Sequence, residues 1–112
     1  MDYQQLFKYM VQDYKGNYTF SKEIVQDWDN SQGGVYYCGV INSTGGLTPY
    51  YIGKAFGDGG IKSRLLQHLN ENKWRDITHF GYHVCSSDNE SLTFEMQEIK
   101  KFNPKYNTQG TY

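Results

Sequence analysis

Apolar positions in the first part of the chain recur at helical spacing. Six apolar or aromatic side chains lie three or four positions apart: Tyr3, Leu6, Phe7, Met10, Val11 and Tyr14. This spacing predicts an amphipathic helix that Gly16 would end. Ser21 is placed to cap a second short helix, with an apolar face of Ile24, Val25 and Trp28. Neither helix carries polar side chains in a pattern that indicates chemistry, so we interpret both as packing elements.

From Gly34 onward the pattern changes from helical to extended. β-branched and aromatic residues fill positions 35–41 and again positions 48–52, which is typical of strands. The residues between them, 43–46, form a four-residue loop of Ser, Thr and two Gly. Two strands joined by such a loop predict an antiparallel hairpin.

The register of this hairpin decides where its tyrosines point. If Asn42 pairs with Leu47 across the loop, Cys38 faces Tyr51 and Tyr36 lies diagonally beside Tyr51. Both phenols then project from the same surface of the sheet. A slip by one residue would send them to opposite surfaces.

A third helix and a third strand follow the hairpin. Residues 61–72 predict a helix after the flexible connection GKAFGDGG, and its apolar stripe consists of Ile61, Leu65 and Leu69. Residues 79–85 alternate as a strand, with one face formed by Phe80, Tyr82 and Val84.

The last predicted helix begins near residue 88. Asp88, Asn89 or Ser91 can cap it, and it continues to about Phe102, because Pro104 cannot extend it. The predicted fold is therefore α/β of the α+β kind, with a small three-stranded antiparallel sheet flanked by helices. Residues 34–112 would form this unit, and residues 1–33 would add two helices to it as an N-terminal extension.

Composition indicates how the core is built. A chain of 112 residues has the size of one domain. Its hydrophobic fraction is 38% and its aromatic fraction 17%, so burial has to rely on rings, and buried tyrosine hydroxyls need partners. Cys38 and Cys85 lie in apolar strands and form no CxxC pair, which predicts buried free thiols rather than a disulfide framework or zinc site.

Charge and hydropathy limit the partners. The formal net charge is −1, so any contact with nucleic acid would be local rather than through a broad basic face. No apolar run approaches the length of a membrane span, and the N-terminus lacks the pattern of a signal peptide. We therefore expect a cytoplasmic protein without a membrane partner.

Polar residues on two helices stand out against packing. Arg64 and His68 are four apart and share a helix face; on these two alone, an exposed polar pair is the simplest interpretation. Glu95 lies within a predicted apolar stripe of Leu92, Met96, Ile99 and Phe102, whereas Glu98 would face water. Because a buried carboxylate needs a partner, Glu95 would either form an ion pair with a basic side chain or bind a cation.

Several short motifs occur in an order that resembles the GIY-YIG nuclease family. They are Gly34-Val35-Tyr36, then Tyr51-Ile52-Gly53 followed by Lys54-Ala55, then Arg64 with His68, and finally FEMQEIKKFNPKYN, which contains Glu95 and Asn107. Lys54-Ala55 extends the second motif as in the bacterial nucleotide-excision nucleases of this family. The resemblance runs from Gly34 to about Asn107.

This resemblance implies metal-dependent hydrolysis of DNA phosphodiester bonds. Glu95 would hold one divalent cation, Mg²⁺ or Mn²⁺, and Arg64 would bind the scissile phosphate. Tyr36 would act as the general base or orient the attacking water. A phenol with a pKa of about 10 needs help from His68, Lys54 or the cation to act as a base, and His68 and Lys54 are the residues assigned that supporting role.

The remaining matched residues would complete the site. Tyr51 would add hydrogen bonds around water and phosphate, Lys54 would also contact the substrate, and Asn107 would hold the loop after the last helix. DNA is the implied partner, bound by a monomer or a homodimer. The alternatives are a catalytically inactive nucleic-acid-binding or interaction domain of the same fold, and a hairpin of core tyrosines without a site.

Overall fold

The computed structural model of the protein describes residues 11–28 and 31–107. The elements are β1 (Lys15–Thr19), α1 (Lys22–Asp27), β2 (Gly34–Ile41), β3 (Leu47–Ala55), α2 (Gly60–Glu71), β4 (His79–Val84) and α3 (Asp88–Phe102). The strands form one antiparallel sheet in the order β1-β4-β2-β3. The fold is thus mixed α/β. In the part of the chain described, no helix is long and apolar enough to cross a membrane.

The sheet has one strand more than the three predicted. β1 pairs with β4, with Tyr18 opposite Phe80. Val11 and the following residues up to Tyr14 are not helical, and Val11 forms a bridge with Cys85; the earlier part of the predicted helix lies outside the described residues. β1 is mostly exposed and its residues do not alternate between apolar and polar, so its sequence does not predict a strand. It forms because β4 offers an edge of backbone groups that need partners.

The short helix α1 begins as predicted. The Oγ atom of Ser21 accepts a hydrogen bond from the backbone N–H of Ile24 at 3.3 Å, so the predicted cap is confirmed. Its predicted apolar face is only partly right, because Val25 is fully buried whereas Ile24 is 47% exposed. Trp28, directly after the helix, packs on Tyr82 with ring centroids 4.8 Å apart. Trp28 therefore covers β4, whereas α1 itself packs against α2.

The hairpin register is confirmed at the tyrosines and wrong at the loop. Cys38 lies opposite Tyr51, as predicted. Beyond Cys38 the register shifts at a bulge, so that Leu47 pairs with Ile41 instead of Asn42. Asn42 folds into the loop, where its Oδ1 accepts backbone N–H groups at 3.0 and 3.1 Å. The side chain thus stabilises the turn, and the bulge absorbs the one-residue difference.

Two clusters of buried side chains lie on the two sides of the sheet. The first surface, which includes Tyr36 and Tyr51, is covered by α2 through Ile61 and Leu65, both 0% exposed; it also carries the predicted face of β4, Phe80, Tyr82 and Val84. The second surface consists of Val35, Tyr37, Ile52 and Cys85, with Phe94 and Ile99 of α3 packed against it. Both cysteines are free and buried, as predicted.

The start of α3 differs from the prediction. Ser87 is the N-cap, and its Oγ accepts the backbone N–H of Glu90 at 3.3 Å; none of the three proposed caps occupies that position. The end is confirmed, since the helix stops at Phe102 before Asn103, which adopts a left-handed conformation with φ 48°.

The buried face of α3 also differs. Leu92, Met96 and Phe102 are 45%, 63% and 41% exposed, so the predicted apolar stripe is wrong at these three positions; only Ile99 of that stripe packs on the second surface. The helix instead turns Glu98 toward the sheet, where it accepts a hydrogen bond from the Tyr37 hydroxyl at 2.6 Å; the prediction that Glu98 faces water is wrong. The physical reason is that a buried phenol requires an acceptor, and the helix supplies it.

Candidate active site

Two phenols from neighbouring strands lie side by side on the first surface. Tyr36 comes from β2 and Tyr51 from β3, and their ring centroids are 6.1 Å apart. They are 0% and 4% exposed. Gly53 lies opposite Tyr36 in the register, and a Cβ there would stand 2.5 Å from the Tyr36 hydroxyl. Glycine at position 53 therefore leaves the space that the Tyr36 ring occupies.

The imidazole of His68 completes this group from α2. Its Nε2 and the Tyr36 hydroxyl are hydrogen-bonded at 2.9 Å in the interior. The ring packs on Trp74, with centroids 4.3 Å apart, and on Tyr51 at 5.3 Å. His68 is only 7% exposed, so the interpretation of an exposed polar pair is wrong for this residue.

Burial determines the protonation states of this pair. It lowers the pKa of His68 to about 4, with the positive charge of Arg64 acting in the same direction, so the imidazole is neutral at neutral pH. Burial also raises the pKa of Tyr36 above its ordinary value, and the Arg64 guanidinium opposes that effect only in part. The phenol therefore keeps its proton at neutral pH.

Arg64 stands one helical turn before His68, at the margin of the phenol pair. Its Nη1 donates a hydrogen bond to Oε1 of Gln67 at 2.8 Å, and its charge lowers the pKa of both Tyr36 and Tyr51 against the opposing effect of burial. The side chain is intermediate in exposure. The structure thus places a guanidinium that solvent can reach beside two phenols.

Glu95 approaches the site from α3, at the edge of β3. Burial raises the pKa of its carboxyl group, while the charge of Lys54 and the backbone N–H of Lys54 lower it. Its negative charge in turn helps to raise the pKa of Tyr51, behind the larger effect of burial. Among the described residues, no ion pair includes Glu95. The expected alternative, a structural salt bridge, is therefore not what holds this carboxylate there.

Within the described part of the chain, Glu95 is a single carboxylate and not part of a cluster of metal-ligating side chains. Residues 11–28 and 31–107 contain no group of three or more His, Cys, Asp or Glu side chains that could hold a metal ion. An ion at Glu95 would then take one protein carboxylate and fill its other positions with water and a substrate oxygen. Mg²⁺, which keeps several waters, is bound in proteins through one or two carboxylates and phosphate oxygens.

Lys54 is not brought to the phenols. It alternates with Tyr51 and Gly53 along β3 and so points to the second surface, where its Nζ forms an ion pair with Oδ1 of Asp88 at 2.8 Å. Its charge still acts on Glu95. Lys54 thus lies near the carboxylates of Asp88 and Glu95 and does not reach Tyr36.

Asn107 is joined to the edge of β3 rather than to the phenols. Its Oδ1 accepts the backbone N–H of Ile52, and its Nδ2 donates to the Ile52 carbonyl, both at 2.8 Å. Next to it, the backbone N–H of Tyr106 donates to the Tyr50 carbonyl at 2.9 Å. These bonds fasten the segment after α3 to β3, the outer strand of the sheet.

Two further residues touch His68 that the sequence did not single out. Trp74 packs on its ring, and Glu71 places Oε1 3.6 Å from its Nδ1. Glu71 is three residues from His68, a spacing at which helical side chains meet, so its position could have been found. Trp74 lies in the loop after α2, where no periodicity predicts its contacts.

Comparison with known proteins gives partial similarity. No protein-family model matches the chain. UvrABC system protein C of Mycoplasma capricolum subsp. capricolum is 36% identical to it over 64 residues. The match covers 51% of this chain and 10% of that protein, so the chain spans about a tenth of the length of the curated relative it matches.

Proposed function

We propose that this chain is a divalent-metal-dependent endonuclease of the GIY-YIG type that hydrolyses DNA phosphodiester bonds. The observation that carries the proposal is the convergence of Tyr36, Tyr51, His68 and Arg64 on the first surface, with Glu95 at the adjoining edge of β3. The partial similarity to UvrABC system protein C supports a DNA nuclease-related role.

Tyr36 and His68 would together activate the attacking water. A neutral imidazole hydrogen-bonded to a buried phenol at 2.9 Å can take the phenolic proton while the phenol oxygen takes a proton from the attacking water. A phenol alone, with its pKa raised by burial, would be too weak an acid to supply phenolate at neutral pH. The imidazole therefore has to receive the phenolic proton in the same step in which the phenol oxygen receives the proton of water, so that free phenolate never forms.

Arg64 binds the scissile phosphate in this proposal. Its guanidinium is cationic at any working pH and offers planar, paired donors that match phosphate oxygens. Placed beside Tyr36 and Tyr51, it would stabilise the negative charge that builds on those oxygens in the transition state. The Tyr51 hydroxyl, next to Tyr36, would add a hydrogen bond to the bound water and phosphate.

Glu95 would hold one Mg²⁺ or Mn²⁺ ion. Such an ion would supply Lewis-acid stabilisation of the phosphate and leaving-group oxygens. The protein would orient the carboxylate, since the backbone N–H of Lys54 at the edge of β3 forms a hydrogen bond to it. Lys54 itself would contact DNA from the second surface, beyond its ion pair with Asp88.

Nicking of supercoiled plasmid DNA tests the proposal. We expect conversion to open circles with Mg²⁺ or Mn²⁺, none with EDTA, and none for Tyr36→Phe, which lacks the hydroxyl. A chain that binds DNA in a gel-shift assay but never cleaves it would instead be the inactive nucleic-acid-binding domain. Because each chain carries one site, a monomer should nick, whereas a homodimer could cut both strands; sedimentation at the assay concentration distinguishes the two states.

A further inference from the structure

The imidazole of His68 lies between two oxygen atoms. On one side its Nε2 is 2.9 Å from the Tyr36 hydroxyl. On the other side its Nδ1 is 3.6 Å from Oε1 of Glu71. Glu71 is itself in contact with Lys73, whose Nζ lies 3.9 Å from Oε2. The three side chains Tyr36, His68 and Glu71 thus form a line from the sheet interior to the end of α2.

This arrangement bears on the tautomer of His68. A neutral imidazole has one N–H donor and one acceptor nitrogen. A lone pair on Nδ1 would face the negative oxygen of Glu71, whereas a proton on Nδ1 would be attracted to it. The carboxylate therefore favours Nδ1–H, which leaves Nε2 as the acceptor for the Tyr36 hydroxyl.

We propose that Glu71 is a positioning residue, which holds His68 in the Nδ1–H tautomer and stabilises the ring when Nε2 receives the proton of Tyr36. The tautomer stands on the geometry alone. The catalytic consequence rests on the proposed nuclease function.

The proton balance of the step is simple. As the water oxygen forms its bond to phosphorus, its proton goes to the Tyr36 oxygen, and the proton of Tyr36 goes to Nε2 of His68. The leaving oxygen keeps the electron pair of the broken P–O bond and takes a proton from solvent. His68 then returns its proton through Tyr36 to solvent, which restores the neutral ring.

The groups around His68 make Glu71 the side chain that favours the protonated ring. Arg64 of α2 and Lys73 of the following loop oppose a positive charge on it, and so does burial. Tyr36 and Tyr51 face it from β2 and β3, and the uncharged ring of Trp74 covers it. Removal of Glu71 would leave only opposing charges close to His68.

Ring-nitrogen NMR of the whole chain tests the tautomer without any cleavage. In the wild type we expect long-range ¹H–¹⁵N spectra of His68 to show a protonated Nδ1 and an unprotonated Nε2. Glu71→Ala should shift the population toward Nε2–H. Glu71→Gln, which keeps an oxygen acceptor without the charge, should give an intermediate spectrum. His68 spectra that do not change in Glu71→Ala would overturn the proposal.

Kinetics test the catalytic part. Hydrogen-bond partners that orient metal-ligating histidines contribute about 10- to 100-fold; taking the same scale for a histidine that accepts a proton, we expect kcat of Glu71→Ala to fall by about that factor with KM little changed. Glu23→Gln, an exposed acidic residue on α1, is the matched control. A shifted tautomer with unchanged kcat would overturn the role in proton transfer. A wild type that never cleaves would refute the nuclease proposal. The tautomer proposal would then be decided by the NMR spectra alone.

Discussion

Tyr36 and Tyr37 are neighbours in the chain, yet their hydroxyls lie on opposite surfaces of the sheet and bond to different partners. The Tyr36 hydroxyl is hydrogen-bonded to the neutral imidazole of His68 at 2.9 Å, and the Tyr37 hydroxyl donates to the carboxylate of Glu98 at 2.6 Å. Both rings are buried. One phenol therefore shares a hydrogen bond with an imidazole beside a guanidinium, while the other links β2 to α3.

The first prediction separates these two roles. Tyr37→Phe should lower the free energy of unfolding by about 1 to 3 kcal/mol, because it removes a hydrogen bond to a charged acceptor, and should leave cleavage within a few-fold at temperatures where the chain is folded. Tyr36→Phe should abolish cleavage. Urea denaturation and plasmid nicking on both variants measure this; the reverse assignment would contradict the site.

The second prediction compares two glutamates of α3, Glu95 and Glu98. Glu95→Gln should reduce cleavage by about 100-fold or more. Removal of one group that stabilises the charge of a transition state has an effect of this size. Its stability should not fall, because a neutral amide removes the cost of burying a charge. Glu98→Gln should instead lower stability and spare cleavage.

Thermal melts with and without Mg²⁺ provide the second readout for this pair. A Mg²⁺-dependent rise in Tm in the wild type and in Glu98→Gln, and its absence in Glu95→Gln, would place the ion at Glu95. Equal cleavage by the wild type and Glu95→Gln would remove Glu95 from the site.

The third prediction concerns Arg64. Arg64→Ala should fold normally, since the side chain is partly exposed, and should lower kcat by about 10²- to 10³-fold through lost stabilisation of the phosphate oxygens. KM should change much less. Lys62→Ala on the same helix is the matched control for loss of a positive charge. Arg64→Ala activity within a few-fold of wild type would show that the guanidinium does not act on the reacting phosphate.

The fourth prediction follows from the burial of His68. Its pKa is about 4 in the folded chain against 6.5 for an unperturbed histidine, so the unfolded chain binds more protons between these values. Stability should therefore be fully present above about pH 6.5 and fall as the pH drops toward 4, by at most about 3 kcal/mol. Urea denaturation from pH 7.5 to 4.5 should show a smaller loss in His68→Gln. The same loss in both proteins would contradict the assignment.

The fifth prediction concerns residues 1–33. Removing them deletes β1 and α1, exposes the outer edge of β4, takes Val25 out of the buried cluster and uncovers the rings of Phe80 and Tyr82 on which Trp28 packs. We expect the remaining residues 34–112 to lose roughly 5 kcal/mol, comparable to the whole stability of a small domain. Circular dichroism should show no cooperative melt. A melt within a few degrees of the full chain would show that these residues fold by themselves.

Local periodicity was enough to place the two phenols. Strand alternation and the hairpin loop put Tyr36 and Tyr51 on one surface, and the four-residue spacing put Arg64 and His68 on one helix face. These relationships depend on backbone geometry over a few residues. The bulge beyond Cys38 did not disturb them, because it lies on the loop side of the tyrosines.

Short segments of the sequence were enough to place Tyr36 and Tyr51 on one side of the sheet and Arg64 and His68 on one helix face, since alternation and helical period are local properties. Contacts between distant parts of the chain bury His68, turn Lys54 away from the phenols, join Glu98 to Tyr37 and add Lys15–Thr19 as a fourth strand. Each of these depends on a partner that is distant in sequence or on an open sheet edge. Such contacts form because buried polar groups and unpaired backbone groups need hydrogen-bond partners, and local sequence patterns do not predict which partner they find.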